Sequence, residues 1–330
     1  MRTSFVLCVL AALPFASACS NDNPVAPGFA PVPAAPTLSC PANVAQTGVV
    51  GSSRAVSYPP PTLSGGHPPV TVSCTPASGV EFPLGATLVT CNGRDALDQQ
   101  RTCAFTVTLT SLLLGVTKFV AFGDSLTEGE NGAEPNGPCP TGGRVLCLDL
   151  PNAYPNVLAR RLRDDFPTQT TTVVNAGISG TRAQDDVARL PGVLAEHRPG
   201  ALLVLHGFND LRRDGADAVT EVVGAIRDQI EIARDAGVQH VFVSTLLPPG
   251  TGFRMIDLED IQDVNDGLRQ VVPAEGARLV DAFPLFLGQE STLIAGDGLH
   301  LTPAGYRVLA EAFYAAIRDA LTAADRVRRK

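Results

Sequence analysis

The chain reads as an α/β protein with a smaller β-rich module in front of it. Three observations predict this. From about residue 112 onward, short apolar runs alternate with amphipathic segments, the pattern of a parallel sheet covered on both faces. Residues 38–110 instead carry period-two runs separated by turn residues, the texture of a small β-sandwich. A chain of 330 residues with 45% hydrophobic content is long enough for two cores.

The N-terminus reads as targeting rather than structure. Arg2 supplies a positive charge, and the apolar stretch 5–15 is too short to span a bilayer as a mature helix. Residues 1–18 are therefore expected to be a signal peptide, with export as its consequence. Ala16-Ser17-Ala18-Cys19 resembles a bacterial lipobox, which implies a lipidated Cys19 and a place in the cell envelope. Ala16 stands where leucine is commoner, so ordinary secretion with cleavage nearby is the alternative. Residues 19–37 contain Pro24, Pro27, Pro31, Pro33 and Pro36 and read as an extended spacer without a core.

Cysteine usage agrees with export. Of eight cysteines, Cys8 falls in the signal and Cys19 at its end. Cys40, Cys74, Cys91, Cys103, Cys139 and Cys147 remain, an even set that reads as disulfides and matches no zinc spacing. A net charge of −8 and a pI of about 5.1 give nucleic acid no basis for binding. The basic tail 326–330 reads as a frayed helix end. Tryptophan is absent and aromatics reach only 5%, against an extended aromatic sugar-binding platform.

Within residues 38–110, strand candidates are 70–72, 87–90 and 104–109, punctuated by Tyr58-Pro59-Pro60-Pro61, Ser64-Gly65-Gly66 and Pro76-Ala77-Ser78-Gly79. A module this small gains from staples, and its four cysteines supply two bridges in any of three connectivities. Cys40-Pro41, Cys74-Thr75-Pro76-Ala77-Ser78-Gly79, Phe82-Pro83-Leu84-Gly85, Val89-Thr90-Cys91 and Cys103-Ala104-Phe105, in that order, resemble a hyalin-repeat (HYR) module. The resemblance implies an immunoglobulin-like fold and a spacer or adhesion role toward a cell-surface carbohydrate or protein. His67 lies in a Gly/Pro turn and reads as solvated.

In residues 111–330 the strand candidates are 119–122, 172–175, 202–206, 240–244 and 278–280. Helical segments are expected near 153–165, 184–197, 216–236, 258–271 and 303–321. Thr302-Pro303 opens the last of these, threonine as N-cap and proline at the first helical position.

The chemistry gathers where strands end. Gly123-Asp124-Ser125-Leu126-Thr127-Glu128-Gly129 follows the first strand. Asn175-Ala176-Gly177-Ile178-Ser179-Gly180 is expected as the loop after the second, and His206-Gly207-Phe208-Asn209-Asp210 closes the third. Asp297-Gly298-Leu299-His300 precedes the last helix. Open α/β sheets place their sites at this carboxyl edge. Each motif alone is an ordinary turn, cap or surface histidine. Four in order and at this spacing resemble the GDSL/SGNH hydrolase family, which implies a flavodoxin-like three-layer α/β/α fold and ester hydrolysis without metal or cofactor.

The residue types fit that chemistry. Ser125 needs a base to become nucleophilic, His300 is the candidate base, and Asp297 can hold its tautomer and stabilise the imidazolium. By resemblance, the oxyanion donors are the N–H groups of Ser125 and Gly177 and the Asn209 amide. Asp124 and Asp210 read as structural neighbours, and His206 as packed against the sheet. His197 and His240 carry no assignment. The Gly/Pro-rich loop after Glu130, with Cys139 and Cys147, reads as a stapled wall over the site or as a stapled surface insertion. The acidic run at Asp257, Glu259, Asp260, Asp263 and Asp266 lacks calcium-loop spacing and reads as a solvated helix face.

The ester is open at this level: a lysophospholipid, a short-chain ester or an acylated polysaccharide, with a tilt toward the carbohydrate-linked group. A thioesterase or acyltransferase would use the same residues. The competing classes are a non-enzymatic adhesion protein acting through the HYR-like module and a metal-dependent phosphoesterase built on Asp124-Ser125, for which no His/Asp cluster is evident.

Overall fold

A computed structural model describes residues 34–131, 148–252 and 254–322. Cys19, Cys139, Cys147, the signal segment and the basic tail lie outside the described residues.

The front module contains eight strands: β1 (Thr37–Ser39), β2 (Val44–Val49), β3 (Ser53–Ala55), β4 (Thr62–Ser64), β5 (Thr71–Thr75), β6 (Glu81–Pro83), β7 (Gly85–Arg94) and β8 (Gln100–Ser111). They form a four-stranded sheet ordered β2-β8-β7-β5 and the pairs β1-β4 and β3-β6. Alternation along β7 and β8 turns Val89, Phe105, Val107 and Leu109 inward, onto Val56, Tyr58 and Phe82. Of the three possible connectivities, the structure has Cys40–Cys103 and Cys74–Cys91. The second bridge joins residues that face each other in the β5–β7 register.

The second domain holds five parallel strands: β9 (Lys118–Gly123), β10 (Thr172–Gly177), β11 (Ala201–Leu205), β12 (His240–Ser244) and β13 (Arg278–Val280). Their order, β10-β9-β11-β12-β13, is the 2-1-3-4-5 order of a flavodoxin-like sheet. Every residue of the central β11 is buried, as expected of a parallel strand covered on both faces.

Among the described residues there are ten α-helices: α1 (Ser125–Glu128), α2 (Tyr154–Asp165), α3 (Ala183–Asp186), α4 (Leu190–His197), α5 (Phe208–Asp214), α6 (Val219–Asp235), α7 (Leu258–Ala274), α8 (Phe283–Phe286), α9 (Glu290–Leu293) and α10 (Pro303–Leu321). Helices α2 and α10 pack together, Tyr154 stacked on Phe313 at 5.1 Å, while α6 packs on α4 and α7. Large apolar side chains close both layers over the sheet, each contributing about 1.5–3 kcal/mol of burial.

Two expectations need correction. The single helix expected over 184–197 is two, because Pro191 cannot continue a helix but can start one, and it sits in the first turn of α4. Strand β10 runs on through Gly177, paired in register with Gly123, so this glycine belongs to the sheet rather than to a loop. Thr302 caps α10 as expected, accepting the Gly305 N–H at 3.2 Å.

Candidate active site

Strand β9 delivers Ser125 to the switch point of the sheet. The Asp124 carboxyl group caps α1, its Oδ1 accepting the Leu126 N–H at 3.0 Å, which makes Ser125 the first helical residue. His300 comes from the other end of the chain. Its loop is held by an N–H from Ala295 to the His300 carbonyl at 2.7 Å and by Gly250 donating to the Gly298 carbonyl at 2.9 Å. Asp297 Oδ1 accepts the N–H groups of Leu299 and His300, both at 3.0 Å. That leaves Oδ2 for His300 Nδ1 at 2.6 Å, while Nε2 lies 2.8 Å from Ser125 Oγ. Three residues spread over more than half the chain thus form one hydrogen-bonded relay, and all three are buried.

Electrostatics favour a charged aspartate here. Burial pushes the Asp297 carboxyl up, but the His300 hydrogen bond and charge, with the two N–H donors, outweigh it and hold it below the usual range. Asp124 is the opposite case. Burial, with the nearby charges of Asp210 and Asp186, pushes it up to about 8 despite the Leu126 hydrogen bond, and its Oδ2 has no hydrogen-bond partner among the described residues.

The sign of this shift makes a prediction. An aspartate in the unfolded chain ionises near pH 4. Folded Asp124 stays protonated up to about 8, so unfolding between those values releases a proton. Its contribution to stability is fully present below about pH 4 and is lost as pH rises toward 8. Asp124→Asn should therefore flatten the fall in melting temperature over that window; parallel curves for variant and wild type would refute the assignment.

The three residues expected as oxyanion donors differ in how their N–H groups are engaged. Gly177 N–H donates to Asn175 Oδ1 at 3.0 Å and is therefore engaged. Its missing side chain serves packing: a Cβ there would lie 2.2 Å from the Glu128 backbone nitrogen. Gly177→Ala should cost about 1–3 kcal/mol through overpacking against α1, read as a lowered denaturant midpoint. Gly180, three residues on, has φ +83 with open space around it, and its N–H has no partner among the described residues. Asn209, in the first turn of α5, donates from Nδ2 to the Thr181 carbonyl at 2.9 Å, which ties it to the Gly180 loop. The Ser125 N–H is one of the donors that any helix start leaves open.

The remaining polar residues brace this loop. Asp210 accepts the Ala183 N–H at 2.9 Å, the structural role expected of it. Thr181 Oγ1 donates to Asp186 at 2.9 Å, and Arg189 grips both Asp186 oxygens at 2.9 and 2.6 Å. His206 is fully buried, edge-on to Phe122, and burial pushes it down to about 4 against the pull of Asp186. It packs against the sheet, as read.

Beside this loop, Gly180, Arg182, Asp185, Asn209, Arg212 and Arg213 line an open cleft of about 400 Å³. A larger hollow of about 690 Å³ lies between α4 and α6, lined by residues such as Gly200 and Gln239 that precede β11 and β12. It opens at the opposite edge of the sheet from Ser125 and holds no part of the relay. Among the described residues, the one cluster with metal-ligand proximity is Cys40, Cys91 and Cys103, whose sulfurs are spent in the two disulfides.

Residues 121–308, which contain all three relay residues, match the model of the GDSL-like lipase/acylhydrolase family. The chain belongs to this family. It is accordingly a carboxylic ester hydrolase, and residues 33–109 match the HYR domain model. The GDSL-like domain is 30% identical over 156 residues to the esterase TesA of Pseudomonas aeruginosa, covering 47% of this chain and 73% of that protein. It is 26% identical over 197 residues to an arylesterase of Vibrio mimicus, covering 59% and 84% of the two chains. In fold it resembles Est24, a carbohydrate acetylesterase of Sinorhizobium meliloti, with a TM-score of 0.51, 17% identity and coverage of 62% and 99%.

Proposed function

We propose that Ser125 is the nucleophile of a metal-independent acyl-enzyme mechanism, with His300 as general base and Asp297 as its orienting partner. The observation that carries this is the unbroken relay from Asp297 Oδ2 through His300 to Ser125 Oγ at 2.6 and 2.8 Å. Attack forms a bond from Oγ to the ester carbonyl carbon as the serine proton passes to Nε2. The tetrahedral intermediate then expels the alcohol, which leaves with that proton, and water repeats the sequence on the acyl-enzyme. In place of Gly177, we assign the second oxyanion donor to the Gly180 N–H, beside those of Ser125 and the Asn209 amide.

For substrate we propose short acyl esters, acetyl above all, on a carbohydrate. Support comes from the cleft beside Asn209, whose lining side chains are all charged or polar and suit hydroxyls better than an aliphatic tail. Est24, whose fold this domain resembles, is a carbohydrate acetylesterase, which agrees with this reading. We further propose that the chain is exported and anchored through lipidated Cys19, with the HYR domain as a spacer or adhesive module at the cell surface. The deciding experiment sets fluorophosphonate labelling beside hydrolysis of acetylated oligosaccharide, p-nitrophenyl esters of two to twelve carbons, and lysophospholipid. Labelling with preference for acetyl groups on sugar is expected. Preference for the lysophospholipid or for long chains would transfer the assignment to a lipid substrate.

A further inference from the structure

The His300 ring makes a contact that the relay does not use. Nε2, the nitrogen 2.8 Å from Ser125 Oγ, also lies 3.3 Å from Glu130 Oε2. The Glu130 side chain is 6% exposed, and its other oxygen meets an Arg254 guanidinium nitrogen at 3.2 Å. Arg254 also reaches Asp297 Oδ2 at 3.8 Å, so one guanidinium stands beside both carboxylates that flank the imidazole. The backbone fixes the arrangement. Tyr306 Oη donates to the Glu130 carbonyl at 2.5 Å, and the Arg254 N–H to the Asp297 carbonyl at 2.9 Å.

A carboxylate taken out of water is costly unless paired. A serine triad requires one such group, and this site holds two. The chemistry of Nε2 suggests why. A neutral imidazole protonated at Nδ1 presents a lone pair at Nε2, and a carboxylate there meets acceptor with acceptor. Once Nε2 has taken the serine proton, the same contact becomes a charge-assisted N–H to carboxylate hydrogen bond. The interaction is worth little in the ground state and much in the transition state, and only such differences raise turnover.

We propose that Glu130 is a second carboxylate partner of the catalytic base. It stabilises the His300 imidazolium at Nε2 while Asp297 does so at Nδ1, and Arg254 balances the charge of both. No proton passes to Glu130: the serine proton moves to Nε2 and departs with the leaving alcohol. The inference rests on the reading of Ser125, His300 and Asp297 as the catalytic set.

The test is steady-state hydrolysis of p-nitrophenyl acetate by wild type, Glu130→Gln, Glu130→Asp and Arg254→Met, each with a thermal melt. Glu130→Gln should lower kcat about 10- to 100-fold with KM within about twofold. Glu130→Asp keeps the charge and should recover part of the loss, and Arg254→Met should show a smaller fall in kcat. A merely structural role would lower the melting temperature without this separation of kcat from KM. A Glu130→Gln enzyme turning over as fast as wild type, or faster, would overturn the proposal. If that variant does not fold, unchanged kcat in the other two would do so. A wild type that neither hydrolyses the ester nor reacts with fluorophosphonate would instead overturn the triad reading.

Discussion

Ser125→Ala removes covalent labelling by fluorophosphonate and lowers kcat by about a million-fold, the scale on which losing a triad nucleophile acts. The size follows from the geometry. Without Oγ there is no atom 2.8 Å from His300 Nε2 to receive base assistance, and no acyl-enzyme forms. The fold should be untouched, because among the described residues the serine side chain hydrogen-bonds only to His300 and alanine suits the first turn of α1. Active-site titration with a p-nitrophenyl ester reads the outcome directly, since wild type should show a burst and the variant none. A variant that keeps the burst would place the nucleophile elsewhere.

Asp297→Asn should cost about four orders of magnitude in kcat while leaving the site's shape intact. Asparagine keeps an oxygen for the N–H groups of Leu299 and His300, the two bonds that hold the turn. Its amide nitrogen then faces His300 Nδ1, where the aspartate oxygen stood at 2.6 Å. A donor in that position favours the tautomer with its proton on Nε2, which cannot accept the proton of Ser125. The loss should appear in kcat with the melting temperature nearly unchanged. Turnover within tenfold of wild type would mean that Asp297 serves only to shape the turn.

Much of this site is legible in the sequence because its signals are local. Ser125 is found from an apolar run ending in glycine, Asn209 and Asp210 from a strand giving way to a helix start, and Asp297 with His300 from a turn before a capped helix. Less legible are the places where a local pattern admits two outcomes. Gly177 ends β10 and Gly180 follows it within one short motif, and which N–H is open depends on Asn175 folding back onto Gly177. Nothing around Glu130 distinguishes it from any exposed glutamate, because its partners Arg254 and His300 stand far along the chain.

By itself, then, the sequence determined the two-part organisation, the alternation of strand and helix, the family, and the order in which serine, asparagine, aspartate and histidine reach the sheet edge. These follow from periodicity, capping and turn chemistry, which act over a few residues and need no partner. Tertiary structure decided the pairing of Cys40 with Cys103 and Cys74 with Cys91, the engagement of the Gly177 N–H by Asn175, and the seat of Glu130 against His300. Each is a contact between residues that the chain alone leaves apart. Such contacts exist only once the 2-1-3-4-5 sheet order and the packing of the front module have set which strands and loops are neighbours.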